Sequence, residues 1–442
     1  MSDLLSIGAS GVKAHQQALA ITSDNIANAA TPGYVRRSAT LTQVGGTSVR
    51  LGGGMGVAVG GMARAADAFR TAQVRQAGSD LSRTETGMVW LERIETSLGG
   101  QGLDARLGDF FNAATALSAD PPAAAPRAAM LEAARGVAQA FSGTVRGIDD
   151  AIADLDTAAA AAATKLEETA SALAKVNDGL GRVGDGSAGQ AQLLDQRDRL
   201  LETMSGLTDI AVQFDPAGRA SVRGGGAGGA VLVHGPDSAK IGYARNADGA
   251  TTFVTSLAGK EAILTPNGGS IAGIAEGAAR LAEARGAAVT LAGEFVKGVN
   301  ENQARGSDLN GRGGAAMFAL ETGGTVTMTL ADPAGIAAAT AGKGARDNGN
   351  LAGLSALRNS GRFEARTVAL QAANGSALAA RKTVAEAQGS IHDSAVAARD
   401  AASGVNLDAE AINLMRFQQA YQASSRVIQV ARETLDTLLQ IR

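Results

Sequence analysis

Over residues 406–440 the apolar positions recur every seven residues in two interleaved rows. Leu407, Leu414, Tyr421, Ile428 and Leu435 form one row, and Phe417, Ser424, Ala431 and Leu438 the other. A sustained seven-residue repeat is the pattern of a helix that packs along another helix. Asn406 stands at the N-cap position, and Asp408 and Glu410 put negative charge at the positive end of the helix. The other end of the chain carries a similar device. Leu5, Val12, Leu19 and Ile26 are spaced by seven, and Gly8, Gly11 and Ala18 lie near that row, where a partner helix needs room. Thr31-Pro32-Gly33 stops the helix, because proline lacks a donor and disfavours helix in the residue before it. An apolar stripe at a chain end cannot stay in water. It pairs with the other terminal helix, with neighbouring copies, or with both. Repeated copies would then make a tube lined by helices; a cytoplasmic helical signalling rod would show similar seams.

Between these ends the pattern is nested. Residues 34–64 read as extended segments around Gly52-Gly53-Gly54-Met55-Gly56, with Val57 and Val59 alternating as in a short strand. Helix returns from about 67 to 118 and breaks at Asp120-Pro121-Pro122. An alanine-rich helix follows over roughly 127–180. Its rows Ile152, Ala159, Leu166, Leu173, Leu180 and Ile148, Leu155, Ala162, Val176 make a second seam. A further helix covers about 190–206. Residues 207–270 are rich in Gly, Val and Thr, with turn signals at Asp215-Pro216-Ala217-Gly218, Asn246-Ala247-Asp248-Gly249 and Pro266-Asn267-Gly268-Gly269, so short strands are expected. Helix resumes over 271–305, strand-like sequence over 306–345, and helix over 350–402. The fold class expected is α+β: a long-helix, coiled-coil-like bundle from the N- and C-terminal segments with one inserted small β-rich domain. The domains expected are a terminal helical core with an extended linker (1–66 and 403–442), a helical bundle (67–206, 271–305 and 346–402) and a β-rich outer domain (207–270 and 306–345).

Composition narrows the chemistry. The 442 residues include no cysteine, which excludes disulfides, zinc thiolates and thiol catalysis. Forty basic and 43 acidic residues give a net charge of −3, with no lysine/arginine block and 3% aromatics. Neither phosphate attraction nor base stacking is supported, so no nucleic-acid partner is expected. No apolar stretch reaches the roughly 20 residues a membrane helix needs, and the start of the chain has no cationic segment before an apolar run. His15, His234 and His392 are far apart in sequence and not at metal-ligand spacing. His392-Asp393-Ser394 holds the three triad residue types, but neighbours on one helix cannot converge as a triad requires. Asp149-Asp150 and Glu167-Glu168 read as solvated helix face. The glycine run at 52–56 leads into a strand rather than a strand–helix unit, so it is no dinucleotide loop. No catalytic, metal or cofactor residue is expected.

Motifs at both ends carry more. The run Asn25-Ile26-Ala27-Asn28 followed by Thr31-Pro32-Gly33-Tyr34 resembles the signature shared by flagellar rod, hook and hook-associated proteins. Gly54-Met55-Gly56-Val57-Ala58-Val59, then Arg64, Asp67, Phe69 and Gln73-Val74-Arg75, resemble the continuation in the hook-associated protein 1 (FlgK-type) family. So do Ser403-Gly404-Val405-Asn406-Leu407-Asp408, Asn413-Leu414, Phe417-Gln418-Gln419-Ala420-Tyr421 and Ser424. Hook and rod proteins usually show Ala-Gln-Arg where this chain has Phe417-Gln418-Gln419. Val299-Asn300-Glu301-Asn302-Gln303, Gly306-Ser307-Asp308-Leu309-Asn310-Gly311 and Asp347-Asn348-Gly349-Asn350-Leu351 are similar to inner FlgK-type stretches. Gln303 departs from a frequent histidine, and the chain is short, as if an outer domain were absent.

The resemblance implies an exported flagellar subunit at the hook–filament junction that assembles with itself as a ring or helical oligomer. It implies contact with the hook protein and the second junction protein, and with an export chaperone before secretion. Export would run through the flagellar type III apparatus without a cleaved signal peptide. The assembly interface expected comprises the terminal residues Leu5, Val12, Leu19, Asn25, Ile26, Asn28, Pro32, Gly33 and Tyr34. From the other end it takes Asn406, Leu407, Leu414, Phe417, Gln418, Tyr421, Ile428, Leu435 and Leu438. The nearest alternative is another axial protein: hook protein, second junction protein or flagellin.

Overall fold

The computed structural model describes residues 2–45, 56–246 and 249–440. Gly52 to Met55 and the turn residues Ala247 and Asp248 lie outside them. The first helix, α1 (Ser2–Ala27), is followed by a hairpin of β1 (Arg37–Gln43) and β2 (Val57–Arg64), which pair antiparallel with an irregularity at Thr40/Leu41. A bundle follows: α2 (Ala68–Gly99), α3 (Leu103–Ala119), α4 (Ala124–Leu180) and α5 (Ala188–Leu207), then α6 (Gly269–Arg305), α7 (Leu351–Gly361) and α8 (Phe363–Ser403). The last helix, α9 (Leu407–Gln440), returns to pack on α1.

Local chemistry sets the ends of these helices. Asp67 caps α2 by accepting from the Arg70 N–H, and Ser187 caps α5 by accepting from the Gln190 N–H. The expected single helix over 67–118 is two helices. Gly102 sits in the left-handed region at φ 57°, a conformation that glycine adopts freely and that ends a helix. Few prolines leave α4 unbroken for 57 residues, about 85 Å at helical rise. Its leucine and alanine rows are buried as their spacing predicts, Leu155, Ala159, Leu166 and Leu173 fully so.

The α2 and α6 helices cross at very short range. A Cβ added to Gly277 would stand 2.1 Å from Trp90 Cδ1, and one on Gly273 would stand 2.5 Å from the Arg83 carbonyl oxygen. These two glycines are what lets the backbones meet.

Two cores lie along the bundle. One joins the distal part of α4, α5 and the start of α6 to two antiparallel sheets. The first sheet has the order β3 (Ile210–Phe214), β4 (Ala220–Gly224), β5 (Ala230–His234), β6 (Asp237–Ser238). The second is β7 (Lys240–Arg245), β8 (Thr251–Leu257), β9 (Lys260–Leu264). The other core joins α3, the start of α4, the end of α6 and α7. It carries two small β pairs, β10 (Gly306–Ser307) with β13 (Ala339–Thr340) and β11 (Phe318–Leu320) with β12 (Val326–Met328).

The molecule is α+β, but the β-rich sequence does not make one inserted domain. Residues 207–270 and 306–345 belong to different cores, because the 37-residue α6 runs between them, about 55 Å long. Each stretch covers the part of the bundle where it leaves the chain.

Aromatic usage follows the same division. Phe110, Phe111, Phe141, Phe295, Phe318 and Phe363 gather in the second core, with ring centroids 5.3–6.4 Å apart. Six of the ten phenylalanines thus lie in this core, where α3, α4, α6 and α7 meet and large side chains fill the space between them. Beside them Arg127 is buried yet satisfied. It donates to the carbonyl oxygens of Pro121 at 2.6 Å and Ile336 at 2.9 Å, and burial lowers its pKa.

Candidate assembly interface

The α1 and α9 helices are antiparallel. Gly8 lies against Ile428, Gly11 against Ser424, and Asn25 reaches Glu410. The row of α1 that faces the partner is Gly8, Gly11, Ala14, Ala18 and Ile21, all buried. The seven-residue row seen in the sequence lies beside this seam. Leu5, Val12 and Leu19 are half-buried and Ile26 is exposed, so they flank the seam about a quarter turn away. The reason is size: a Cβ on Gly8 or Gly11 would stand 2.7 Å from a side-chain atom of α9, closer than any real contact allows.

On α9 the residues Leu414, Phe417, Ser424 and Ile428 are half-buried and Ala431 buried against α1. Tyr421 and Leu435 stand at the margin, 36% and 37% exposed, while Leu407 points outward at 55%. Gln418 is exposed, and the side chain of Leu438 lies outside the described residues. His15 stacks on Phe417 with ring centroids 6.4 Å apart. Asn406 caps α9 by accepting from the Ala409 N–H at 3.0 Å.

Apolar side chains remain open beyond the seam. On α1 they are Leu4 and the flanking row; on α9 they are Ile412, Met415 and Val430, each more than half exposed. The α1 face that holds Leu5, Ala9, Val12, Gln16, Leu19, Ser23 and Ile26 carries no charged residue.

The foot of this helix pair is tied down by polar groups. Asn25 is fully buried. Its Nδ2 donates to the Arg37 carbonyl oxygen at 2.7 Å and to Glu410 Oε2 at 3.2 Å; its Oδ1 accepts from the Tyr34 hydroxyl at 2.9 Å and the Arg37 N–H at 3.0 Å. Every bonding position of the amide is used. Glu410, also buried, accepts from Arg36 Nε at 2.6 Å, and the Arg36 N–H donates to the Ser403 carbonyl oxygen. Burial raises the pKa of Tyr34, against the lowering effect of the Arg37 guanidinium over its ring. Asn28 turns instead to its own helix end: it donates to the Asp24 carbonyl oxygen and accepts from Thr31. Gly33 adopts φ 73° with the Arg199 side chain packed against it, and the Pro32 carbonyl oxygen lies 3.5 Å from Arg199.

From this knot an ionic chain runs into the bundle. Arg37 pairs with Asp195 of α5 at 2.6 Å; Arg64 holds Asp195 through two donors and also reaches Asp198, which Arg197 grips in turn. Asp195 is 4% exposed, and each of its oxygens meets an arginine. A cleft of about 450 Å³ opens beside it, between the 29–35 loop, Arg199 and Glu202 of α5, and Arg399 to Val405. Arg36 and Arg64 stand inside the terminal motifs; Asp195 and Asp198 carried no signal, since nothing marks two aspartates in a polar helix. The carboxylate pairs are only half solvated face: Asp150 and Glu168 are exposed, but Asp149 pairs with Arg285 of α6, and Glu167 accepts from the Ile241 N–H of β7. Among the described residues no cluster of His, Asp or Glu could hold a metal, and no helix is long and apolar enough to cross a membrane.

The family model of the flagellar hook-associated protein FlgK helical domain matches residues 91–318, more than half of the chain. The chain belongs to the FlgK family. Its ends match two further models, the flagella basal body rod protein at 5–34 and the C-terminal region of the flagellar basal body rod FlgEFG proteins at 399–441. Flagellar hook-associated protein 1 of Escherichia coli strain K12 is 26% identical over all of both chains. That alignment runs over 552 positions against 442 residues here, so the relative carries insertions that this chain lacks. The Salmonella typhimurium protein of the same name is 27% identical over 72% of this chain and 60% of its own. The solved flagellar hook junction protein FlgK from Burkholderia pseudomallei shares the fold at a TM-score of 0.51, with 22% identity, over 56% of this chain and 46% of that one. This FlgK-family chain is a structural protein of the flagellum.

The FlgK-type inner motifs have a structural reason in this chain. Asn300 Oδ1 accepts from the Met317 and Phe318 N–H groups. Asn302 and Asn350 each donate to the other's carbonyl oxygen, and Gln303 accepts from the Ala337 N–H at 2.9 Å. Together they staple 306–350 to the end of α6. Gln303 also donates to the Ala315 carbonyl oxygen at 3.5 Å, so both ends of its amide meet backbone groups.

Proposed function

We propose that this chain is the subunit that joins hook to filament, packing as a ring or helical layer through α1 and α9. The observation that carries the reading is the apolar surface left open on a helix pair whose own seam is already closed. Ile412, Met415 and Val430 on one helix and the uncharged Leu5–Ile26 face on the other need a cover. The two faces differ and lie on different helices, so the α9 face of one copy can seat on the α1 face of the next, the head-to-tail contact that builds a ring or helical layer. In this reading the hook protein lies below and the second junction protein above. An export chaperone would cover α9 before secretion through the type III apparatus without a cleaved signal. The work is mechanical and involves no catalysis. The buried Asn25–Glu410–Arg36 knot and the Arg37–Asp195–Arg64 chain fix the helix pair to the bundle, so that load on one reaches the other.

Deletion of the gene tests it. Cells with normal hooks, no filaments and filament protein shed into the medium are the expected result. Missing hooks would move the subunit to hook or rod, and unchanged motility in a strain with a single flagellar system would overturn the reading.

A further inference from the structure

Away from the terminal helices, the outer face of the β3–β4–β5 sheet and the tip of the β8–β9 hairpin enclose a cleft of about 440 Å³. That volume is in the range of small-ligand sites and suits one or two sugar rings. No carboxylate lines it. Arg223 and Lys260 do, and neither is in an ion pair with a described residue. Arg223 is held in place by donating to the Gly229 carbonyl oxygen at 3.1 Å, which leaves its other N–H groups free to bind. Gln213 and Ser221 line the same wall and offer an amide and a hydroxyl, while Val231 and Leu257 supply apolar surface.

Two backbone irregularities converge on this place. In β5 the register passes from Val233 opposite Val222 to Val231 opposite Arg223, a bulge that leaves Leu232 without a register partner. At the hairpin tip, Leu257 pairs with Lys260 across a two-residue loop, and both loop residues have positive φ, 49° at Ala258 and 76° at Gly259. Asparagine or glycine is favoured at the first of these positions. Ala258 is one of two non-glycine residues with positive φ among the described residues, and it lines the cleft. Strained positions of this kind concentrate at ligand-binding sites. A methyl group there keeps the wall small and apolar where the preferred asparagine would fill it.

We infer that this cleft binds an acidic saccharide, a short glycan bearing carboxylate or sulfate. Arg223 and Lys260 hold the anionic group, Gln213 and Ser221 bond ring hydroxyls, and the apolar wall takes the C–H face of a sugar. The one ring in its lining is the exposed imidazole of His234, which offers a further donor or acceptor to a sugar hydroxyl, and the mixed polar and apolar lining exceeds what a bare anion needs. The inference stands apart from the junction role, since it uses no residue of the terminal helices.

Calorimetric titration of the full chain tests it, with a digalacturonate, a sulfated heparin-derived disaccharide, maltose, inorganic phosphate and a triglutamate peptide as probes. Both acidic disaccharides should bind, with maltose and phosphate at least roughly tenfold weaker. Arg223→Gln and Lys260→Gln, both at exposed positions, should each weaken binding by about tenfold with the far-ultraviolet spectrum unchanged. Ala258→Asn should raise the melting temperature and weaken binding together. No heat from either disaccharide, equal binding of maltose, or binding untouched by both charge substitutions would overturn the inference. So would triglutamate or phosphate binding as tightly as the disaccharides.

Discussion

Asn25 makes four hydrogen bonds from a position with no solvent exposure, and its partners come from α1's exit loop, the β1 strand and α9. Removing the amide strands the Tyr34 hydroxyl, both backbone groups of Arg37 and part of Glu410. Asn25→Ala is therefore expected to cost about 3–5 kcal/mol of docking energy between the terminal helices and the hairpin. Hydrogen exchange should show α1 and α9 losing protection while α4 keeps its own; equal protection throughout would sink the idea. Tyr243 gives a test in another region. Burial, then its hydrogen bond to Asp156 at 2.5 Å, pushes its pKa up to about 12 from 10. The folded state holds the proton more tightly than the unfolded chain, so this contribution is complete below pH 10. It is lost as pH rises from 10 to about 12. Tyr243→Phe should flatten the alkaline fall of urea-unfolding stability in that window.

At the scale of elements, the bundle depends on where glycine sits. Gly277 and Gly273 let α6 cross α2 against Trp90. Gly277→Ala should destabilise the bundle by about 1–3 kcal/mol through overpacking, read as a lower urea midpoint. The helices themselves were readable in the sequence because their rows repeat and their caps are chemical. Asn406 and the alanine-rich α4 stand where patterning puts them, while α1 ends at Ala27, one turn before Thr31-Pro32-Gly33. The facing row of α1 was not readable in the same way. Counting apolar side chains favours Leu5, Val12, Leu19 and Ile26, whereas the tightest contact uses the residues with least side chain, Gly8 and Gly11. The division of the β-rich sequence was hidden for a different reason. Strand patterns tell how a segment pairs locally, but not which part of a 55 Å helix it will cover. Asp195 was out of reach as well, since its partners lie 131 and 158 positions away.

At the scale of the molecule, the absence of cysteine makes the head-to-tail packing directly testable. Val12→Cys in one population and Met415→Cys in another should cross-link in mixed assemblies and not within either population alone. Cross-linking of Val12→Cys to itself would show a two-fold interface instead and would leave the flagellar role untouched. Salt is a second lever. The pairs around Asp195 are buried, so added salt should loosen the exposed helix-face pairs, such as Arg280–Glu283, well before it separates the terminal helices from α5.

The pairing of Gly8 with Ile428 and of Asn25 with Glu410 has a bearing on how a faulty copy is recognised. Residues some 385 positions apart meet at one spot, so neither terminal helix finds its seat until the other is present. A chain cut short at its C-terminal end would leave α1 unmatched with Gly8 and Gly11 bare, and one cut short at its N-terminal end would leave α9 without its seat. In the packing proposed above, completeness of the polypeptide would be tested by shape at the moment of incorporation, without a separate inspector.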